Sequence, residues 1–533
     1  MKKMIFFLGV ALTASCLAQA QSNAIFQHLP SNANTVVRVN LPVMTSKVDI
    51  PSLLSHLPIK SDIGQLLKDP ALAGIDLHQD AYITVSGTAA DSATYTCIIF
   101  HLADSGQLTS FIKTHYSNVD FSPTKNHTRA IGQYSETVDP SAPDSVAREE
   151  SSIGFAWNDR LAVITLLKVT IKNPNLNDLD DLQDWYVGKA VGQSLATLQG
   201  YPRSSFTTNQ TFITGFSDDA DLTMWSTGSN NFMAMSKMMA HLPGNYGKAA
   251  FAPQHHSISI THLRFENGRL LLTSAAILPT DTAAVMQKLV SRPFSENLAA
   301  KLPRGSLLGM ASMHLDPSVF IPFVKLYQPQ LDSMLHNKTP DVSRLINAFK
   351  GDFLVAAIAP QGDTGANAKP NIYFITTIKD RSAFLDVAHQ IHLIRDSAAG
   401  AMPDTGRSML GKLKTSYAIH DSICVFSRSR DLADGYFTTT PHTPGLLSDD
   451  FRNNYLTLVI DIKAVLAFLQ NSPKGNNQQP AKAQQMKAIL GQFDRFTVTL
   501  GLRHGNEMTS SFEIRLTDPS VNSLKLFSGF FMH

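Results

Sequence analysis

The chain reads as an α+β protein made of two tandem homologous domains, mainly antiparallel sheet with helices packed on one face. Three observations carry that expectation. The stretch 29–42, LPSNANTVVRVNLP, returns half a chain later at 302–317 as LPRGSLLGMASMHLDP. Short apolar runs recur along the chain, several joined by tight polar turns, and helix-period segments interrupt them. The 533 residues also exceed what one core organises, since single domains stop growing near about 250–300 residues.

Taken in order, MKKMIFFLGVALTASCLAQA passes from Lys2 and Lys3 through an apolar run to the small residues Ala18 and Ala20. That is the pattern of a secretory signal peptide over 1–20, cleaved between Ala20 and Gln21. Its apolar core is too short to span a bilayer. No later window offers the ~18 uninterrupted apolar residues of a spanning helix, so no transmembrane segment is expected in the mature chain. A rival reading lipidates Cys16, but Thr13 stands where a lipobox wants Leu. The expectation is export to the periplasm or the exterior, with outer-membrane association as a variant.

Loss of Lys2 and Lys3 takes the formal charge from +2 to zero. No field remains to steer a polyanion, and no Lys/Arg block supplies a local one, which disfavours nucleic acid as a partner. Hydrophobic residues make up 43% of the chain and 30 are Phe, ample material for packed cores.

The expected first domain, 21–300, and second, 301–533, match in order. Segment 95–112, YTCIIFHLADSGQLTSFI, resembles 371–388, NIYFITTIKDRSAFLDVA: a strand, then Asp104 or Asp380 placed to cap a helix. Segment 155–164, FAWNDRLAVI, resembles 417–426, YAIHDSICVF, with Asn158-Asp159 and His420-Asp421 as hairpin turns. DLTMW at 221–225 resembles YLTLV at 455–459. The strand, turn and strand of 257–273, around Glu266-Asn267-Gly268, return at 495–511 around His504-Gly505-Asn506. The offset falls along the chain, so the first copy carries extra residues between the Asn158 hairpin and Trp225. Units this long are domains, not solenoid repeats. Their boundary is expected near 295–302, and the polar stretches 139–150 and 471–480 read as exposed loops.

The LP-x-x-A opening behind a signal peptide, Asn209 and Phe212 followed by Asp221 and Trp225, and the two-copy layout resemble an uncharacterised envelope family of outer-membrane-bearing bacteria, the domain-of-unknown-function 4836 type. The resemblance implies an envelope location and carries no catalytic residues. Many of its members look like lipoproteins, a pattern from which the weak lipobox at Cys16 departs.

Duplication weighs chemical candidates: a position kept in shape but changed in chemistry between copies is structural. Ser110-Phe-Ile-Lys113, Ser229-Asn-Asn231 and Lys414-Thr-Ser416 approach the motifs of a penicillin-binding serine acyl-transferase. Ser110, however, falls inside the helix capped by Asp104, where such a nucleophile does not belong. His256 and His262 share a strand face with His255 nearby, yet six residues of strand span about 20 Å, too far for one metal ion. Met233, Met235, Met238 and Met239 offer thioethers to copper, but the second copy has Val465-Leu-Ala-Phe-Leu469 there, so core packing is favoured. Asp178, Asp180, Asp181 and Asp184 suit a helix start better than a calcium loop. Cys97 and Cys424 lie in apolar strand-like runs and read as buried free thiols, a single bridge being the alternative. No metal and no cofactor are expected.

The reading favours a non-enzymatic binding or scaffold protein whose partner is an envelope protein or polymer. The alternatives are a hydrolase of envelope polymers and a carrier of an apolar ligand. Trp185 and Tyr186, in the one-copy insertion, are the candidate partner contacts.

Overall fold

The structure, a computed structural model, describes residues 24–51, 70, 73–87, 93–115, 128–136, 148–171, 179–202, 204–227, 257–290, 292–319, 342–360, 369–390, 416–441, 454–470, 481–501 and 505–531. These fall into two compact units. The first holds the described chain up to Thr227 with Ile260–Arg264 and the segment from Leu524; the second holds Phe265–Ser523 and the stretch just before Ile260.

The first unit contains β1 (Ala33–Val39), α1 (Leu41–Lys47), β2 (Ala81–Ser86), β3 (Ala93–His101), α2 (Ser105–His115), β4 (Arg129–Glu136), β5 (Arg148–Trp157), β6 (Leu161–Ile171), α3 (Leu179–Gln199), α4 (Gln210–Phe216) and β7 (Leu222–Thr227). Its strands pair antiparallel throughout, in the order β7-β1-β2-β3-β6-β5-β4. The residues of β8 (Ile258–Glu266) are divided between the units.

The second unit contains β9 (Arg269–Ile277), α5 (Thr280–Leu289), α6 (Glu296–Ala300), β10 (Leu307–His314), α7 (Val342–Asn347), β11 (Phe349–Ile358), β12 (Asn371–Ile378), α8 (Arg381–Gln390), β13 (Ser416–His420), β14 (Ile423–Ser427), α9 (Arg430–Thr438), β15 (Asn454–Asp461), α10 (Ile462–Gln470), α11 (Ala481–Leu490), β16 (Phe493–Gly501) and β17 (Glu507–Leu516). The order, again antiparallel, is β9-β17-β16-β15-β10-β11-β12-β14-β13. The last helix, α12 (Ser523–Phe531), belongs to the first unit from Leu524 on.

The two sheets share a connectivity. In the first, Trp225, Val36, Thr84, Cys97, Thr165 and Gly154 form one row across neighbouring strands. In the second, the row is Val459, Met310, Ala356, Tyr373, Ser427 and Ser416. Once Val36 is set against Met310, pairing alone sets Cys97 against Tyr373, Thr165 against Ser427 and Trp225 against Val459. The sequence matches put the same residues opposite one another without reference to pairing. The two LP openings also agree, since Leu29 and Leu302 are both buried.

Local chemistry accounts for the elements. Asp104 caps α2 through Gly106 N at 2.7 Å and Gln107 N at 3.1 Å, and Asp380 caps α8 through Ala383 N at 2.9 Å. Asn158 closes its hairpin through Arg160 N and Leu161 N, while Asp421 takes the left-handed φ of 51° that its turn requires. Residues near the expected boundary are core: Leu298, Ala299 and Leu302 pack into the second unit.

The expectation of helices on one face is corrected. In the first unit Leu108 and Ile112 of α2 pack with Phe100, Ile153 and Phe155 on one face. Helix α3 covers the other, where Gly154 and Gly132 meet Ala190, Val187 and Val191. In the second unit α8 packs with Cys424 and Phe426, whereas α6 and α9 pack over Tyr373, Ile375 and Val425. Alternating strand residues are apolar on both sides, so each face needs cover. Helix α3 follows β6 as the much shorter α9 follows β14.

Candidate functional site

The second unit places a largely buried ionic cluster at the end of β10. Register sets His314 opposite Asp352, with Nδ1 and Oδ1 3.0 Å apart. Arg292 grips both carboxylate oxygens, at 3.2 and 2.8 Å, and the Thr377 hydroxyl lies 3.5 Å from Oδ2. Burial pushes the Asp352 carboxyl up, but the hydrogen bonds from His314 and Arg292 outweigh it and hold the group below the usual carboxylate range. A His-Asp pair could orient a general base. Its partners here are a cation and a hydroxyl that saturate the carboxylate, and among the described residues no nucleophile is bonded to the other ring nitrogen. The matching position in the first unit is Asp80, whose carboxyl burial raises despite Arg38 at 3.9 Å. In both units the acid is engaged by an arginine.

The first unit buries a thiol and hydroxyl network beneath α3. Cys97 Sγ lies 3.5 Å from Thr165 Oγ1, and the Ser194 hydroxyl donates to the Gly154 carbonyl at 2.9 Å, with Thr165 Oγ1 2.8 Å from Ser194 Oγ. Burial raises the Cys97 thiol, which disfavours the thiolate a nucleophile needs. The network seats the helix on the sheet. Cys424 is also buried and unbridged, its thiol likewise raised by burial.

The motif that carries the family resemblance resolves into packing. Asn209 caps α4 through Phe212 N at 3.0 Å. Phe212 and Trp225 meet edge to face at 5.8 Å, and buried Asp221 takes both carboxylate contacts from Lys47, at 2.7 and 2.6 Å.

The other candidates separate. Ser110 lies within α2, and His262 sits 3.3 Å from the Thr223 hydroxyl with its basicity lowered by burial. Tyr186 is buried against Leu167 and Val169, whereas Trp185 is 55% exposed with Lys189 Nζ 5.0 Å from its ring centre. Asp184 is exposed. Cys16, Ala18, Ala20, Gln21, Asp178, His255, His256, Ser229, Asn231, Lys414 and Met233 to Met239 lie outside the described residues, as do the side chains of Asp180 and Asp181. Among the described residues no group of three or more His, Cys, Asp or Glu could hold a metal ion.

One surface in the second unit was missed by sequence reading. Register aligns Ile372, Ala357, Gly309, Ile460, Phe496, Ile514 and Leu270 in one row across seven strands. The next row on the same face is Phe374, Val355, Ala311, Leu458, Val498, Phe512 and Leu272. Both rows are wholly apolar, and none of their residues is buried. Ile372, Val355 and Ile460 are 42%, 40% and 36% exposed. Six strand spacings make a strip roughly 29 Å long. Behind it, β16, β17 and β9 carry Thr497, Thr499, Glu513 and Arg269, so their apolar side is this face. Three of its residues are exposed and the rest are half-buried, so the strip is a contiguous apolar surface rather than scattered single residues.

No family model matches the chain, and no curated protein matches it. Among solved structures, crystal form I of TP0453 aligns at 8% identity with a TM-score of 0.23, over 51% of this chain and 87% of that one. At that score neither fold nor activity transfers.

Proposed function

We propose that this chain is an exported, non-enzymatic binding protein of two homologous repeats, whose working surface is the apolar sheet face of the second unit. The two-row strip around Ile460 and Val355 carries this reading. Export with cleavage after Ala20, and kinship with the envelope family resembled above, belong to the same proposal. The shared strand order and the coincident registers support descent from a tandem duplication.

A hydrolase is the less favoured reading, because the two buried polar clusters described above are occupied in holding elements together. The test uses a polarity-sensitive fluorophore on Val355→Cys in the full mature chain, the native thiols being buried. Addition of detergent-dispersed envelope extract should shift its emission to the blue. A fluorophore on Trp185→Cys that shifts while the Val355 label stays unmoved would relocate the working surface to α3.

A further inference from the structure

We infer that the face seats the acyl chain of a single lipid molecule, lying along β10. The inference rests on the face being a binding surface and names what occupies it. The floor is made of small residues: Gly309 and Ala311 on β10 with Ala357 beside them. Register raises Ile460 and Leu458 of β15 on one side and Val355, Ile372 and Phe374 on the other. The three most exposed of these walls are the three exposed apolar strand residues noted above. Met313, between Phe353 and Leu456, stands across one end.

The geometry selects the occupant. Strand β10 is paired on both sides, so its backbone groups are consumed and a partner strand would find nothing to hydrogen-bond. Two strand spacings separate β15 from β11, about 9.6 Å between backbones, and side chains narrow the slot further. A helix of about 10–12 Å diameter would ride on the walls. An unbranched hydrocarbon chain fits between them and asks for no polar partner. At the end away from Met313, helix α10 packs beside β10, β15 and β16. Its sequence, IKAVLAFLQ, is mostly apolar, yet none of its residues is buried and Leu469 is 54% exposed.

Comparison between units isolates the trough to one of them. The positions matching Gly309, Ala311 and Ala357 are Thr35, Val37 and Val85, and those matching Ile460 and Ile372 are Ser226 and Thr96. The first unit therefore has larger floor side chains and a polar rim where the second has small floor residues between apolar walls. Small floor residues between apolar walls, present in one unit and not the other, are what a seat for an apolar ligand requires.

The test is equilibrium binding of cis-parinaric acid, a fluorescent fatty acid, to the full mature chain. Gly309→Thr combined with Ala311→Val restores the first unit's side chains, which the same sheet accommodates there. That variant should bind at least about tenfold more weakly, with its melting curve as the check on folding, since a Cβ at Gly309 meets the Val459 carbonyl oxygen at 3.2 Å. Ala311→Leu alone, which fills the slot at one position, serves if the double variant fails to fold. Undiminished binding by the folded variant overturns the inference. So does flotation of the wild type with phosphatidylglycerol vesicles without binding dispersed probe, which would make the face a membrane contact. Concentration-dependent dimers lost in the double variant, without probe binding, would also overturn it while leaving the face a binding surface. Failure of probe, vesicles and self-association alike would remove both.

Discussion

Adding one methyl group to the first unit should have opposite effects at glycines on either side of α3. A Cβ at Gly154 would lie 2.4 Å from the Ala190 carbonyl carbon and 2.5 Å from Ala190 O and Val191 N, all backbone atoms. Ordinary carbon contacts need about 3.5–4 Å, so the helix must lift by roughly 1 Å. That movement strains Ser194, which reaches the Gly154 carbonyl and Thr165, and loosens Ala190 and Tyr186 in their cluster. Overpacking costs about 1–3 kcal/mol and each weakened hydrogen bond about 1 kcal/mol, so Gly154→Ala should lose about 3 kcal/mol. Gly188 and Gly192 lie on the outer side of α3 with nothing within 4 Å of an added Cβ. Alanine there should gain about 0.8–1 kcal/mol each from helix propensity. The 3 Trp residues of the chain, Trp157, Trp185 and Trp225, all belong to the first unit, so urea titration followed by Trp fluorescence reads that unit. A Gly154→Ala midpoint at or above the wild type would refute the seating of α3 on this glycine. Equal losses at all three positions would do the same.

Other outcomes follow from the buried groups. Asp352 has a folded pKa below its unfolded value, so its ionised form stabilises the fold; that contribution is complete above the unfolded pKa of about 3.9 and is lost as pH falls through the folded value. Asp352→Asn should therefore cost about 3 kcal/mol at neutral pH, with the gap to wild type narrowing below about pH 4. A gap that widens on acidification contradicts the sign. Tyr186→Ala should lose about 3 kcal/mol by removing a buried ring, while Trp185→Ala should change stability by less than about 0.5 kcal/mol. Denaturation curves of the two variants decide it, and equal losses would mean that Trp185 is core. Cys97 and Cys424 should resist Ellman's reagent in the native protein and react together on unfolding. Rapid native labelling of either would contradict its burial.

Alternation, caps and turns were readable in the sequence because each depends on neighbours a few residues apart. Asp104, Asp380 and Asn158 act where their spacing placed them. The shared strand order was foreshadowed because five local sequence matches recur in one order of elements. Which face a helix covers was not, since α2 and α3 are each amphipathic or glycine-lined and local pattern does not say on which side of the sheet the chain returns. The His314 and Asp352 pair was a weak signal: polar residues at inward positions of otherwise apolar strands, SMHLDP and GDFLV. The apolar strip was hidden because its members come from seven strands that are distant along the chain, and only register joins them. Gly309 and Ala311, read alone, are merely small residues in a strand.

The central claim is that the second unit holds an apolar molecule on its sheet face. Native mass spectrometry of the chain, purified without detergent, tests it directly. The wild type should carry an adduct that releases a fatty acyl chain on denaturation, and Gly309→Thr/Ala311→Val should fly bare. A bare wild type that also takes up no added fatty acid, or equal adducts on both proteins, would contradict it.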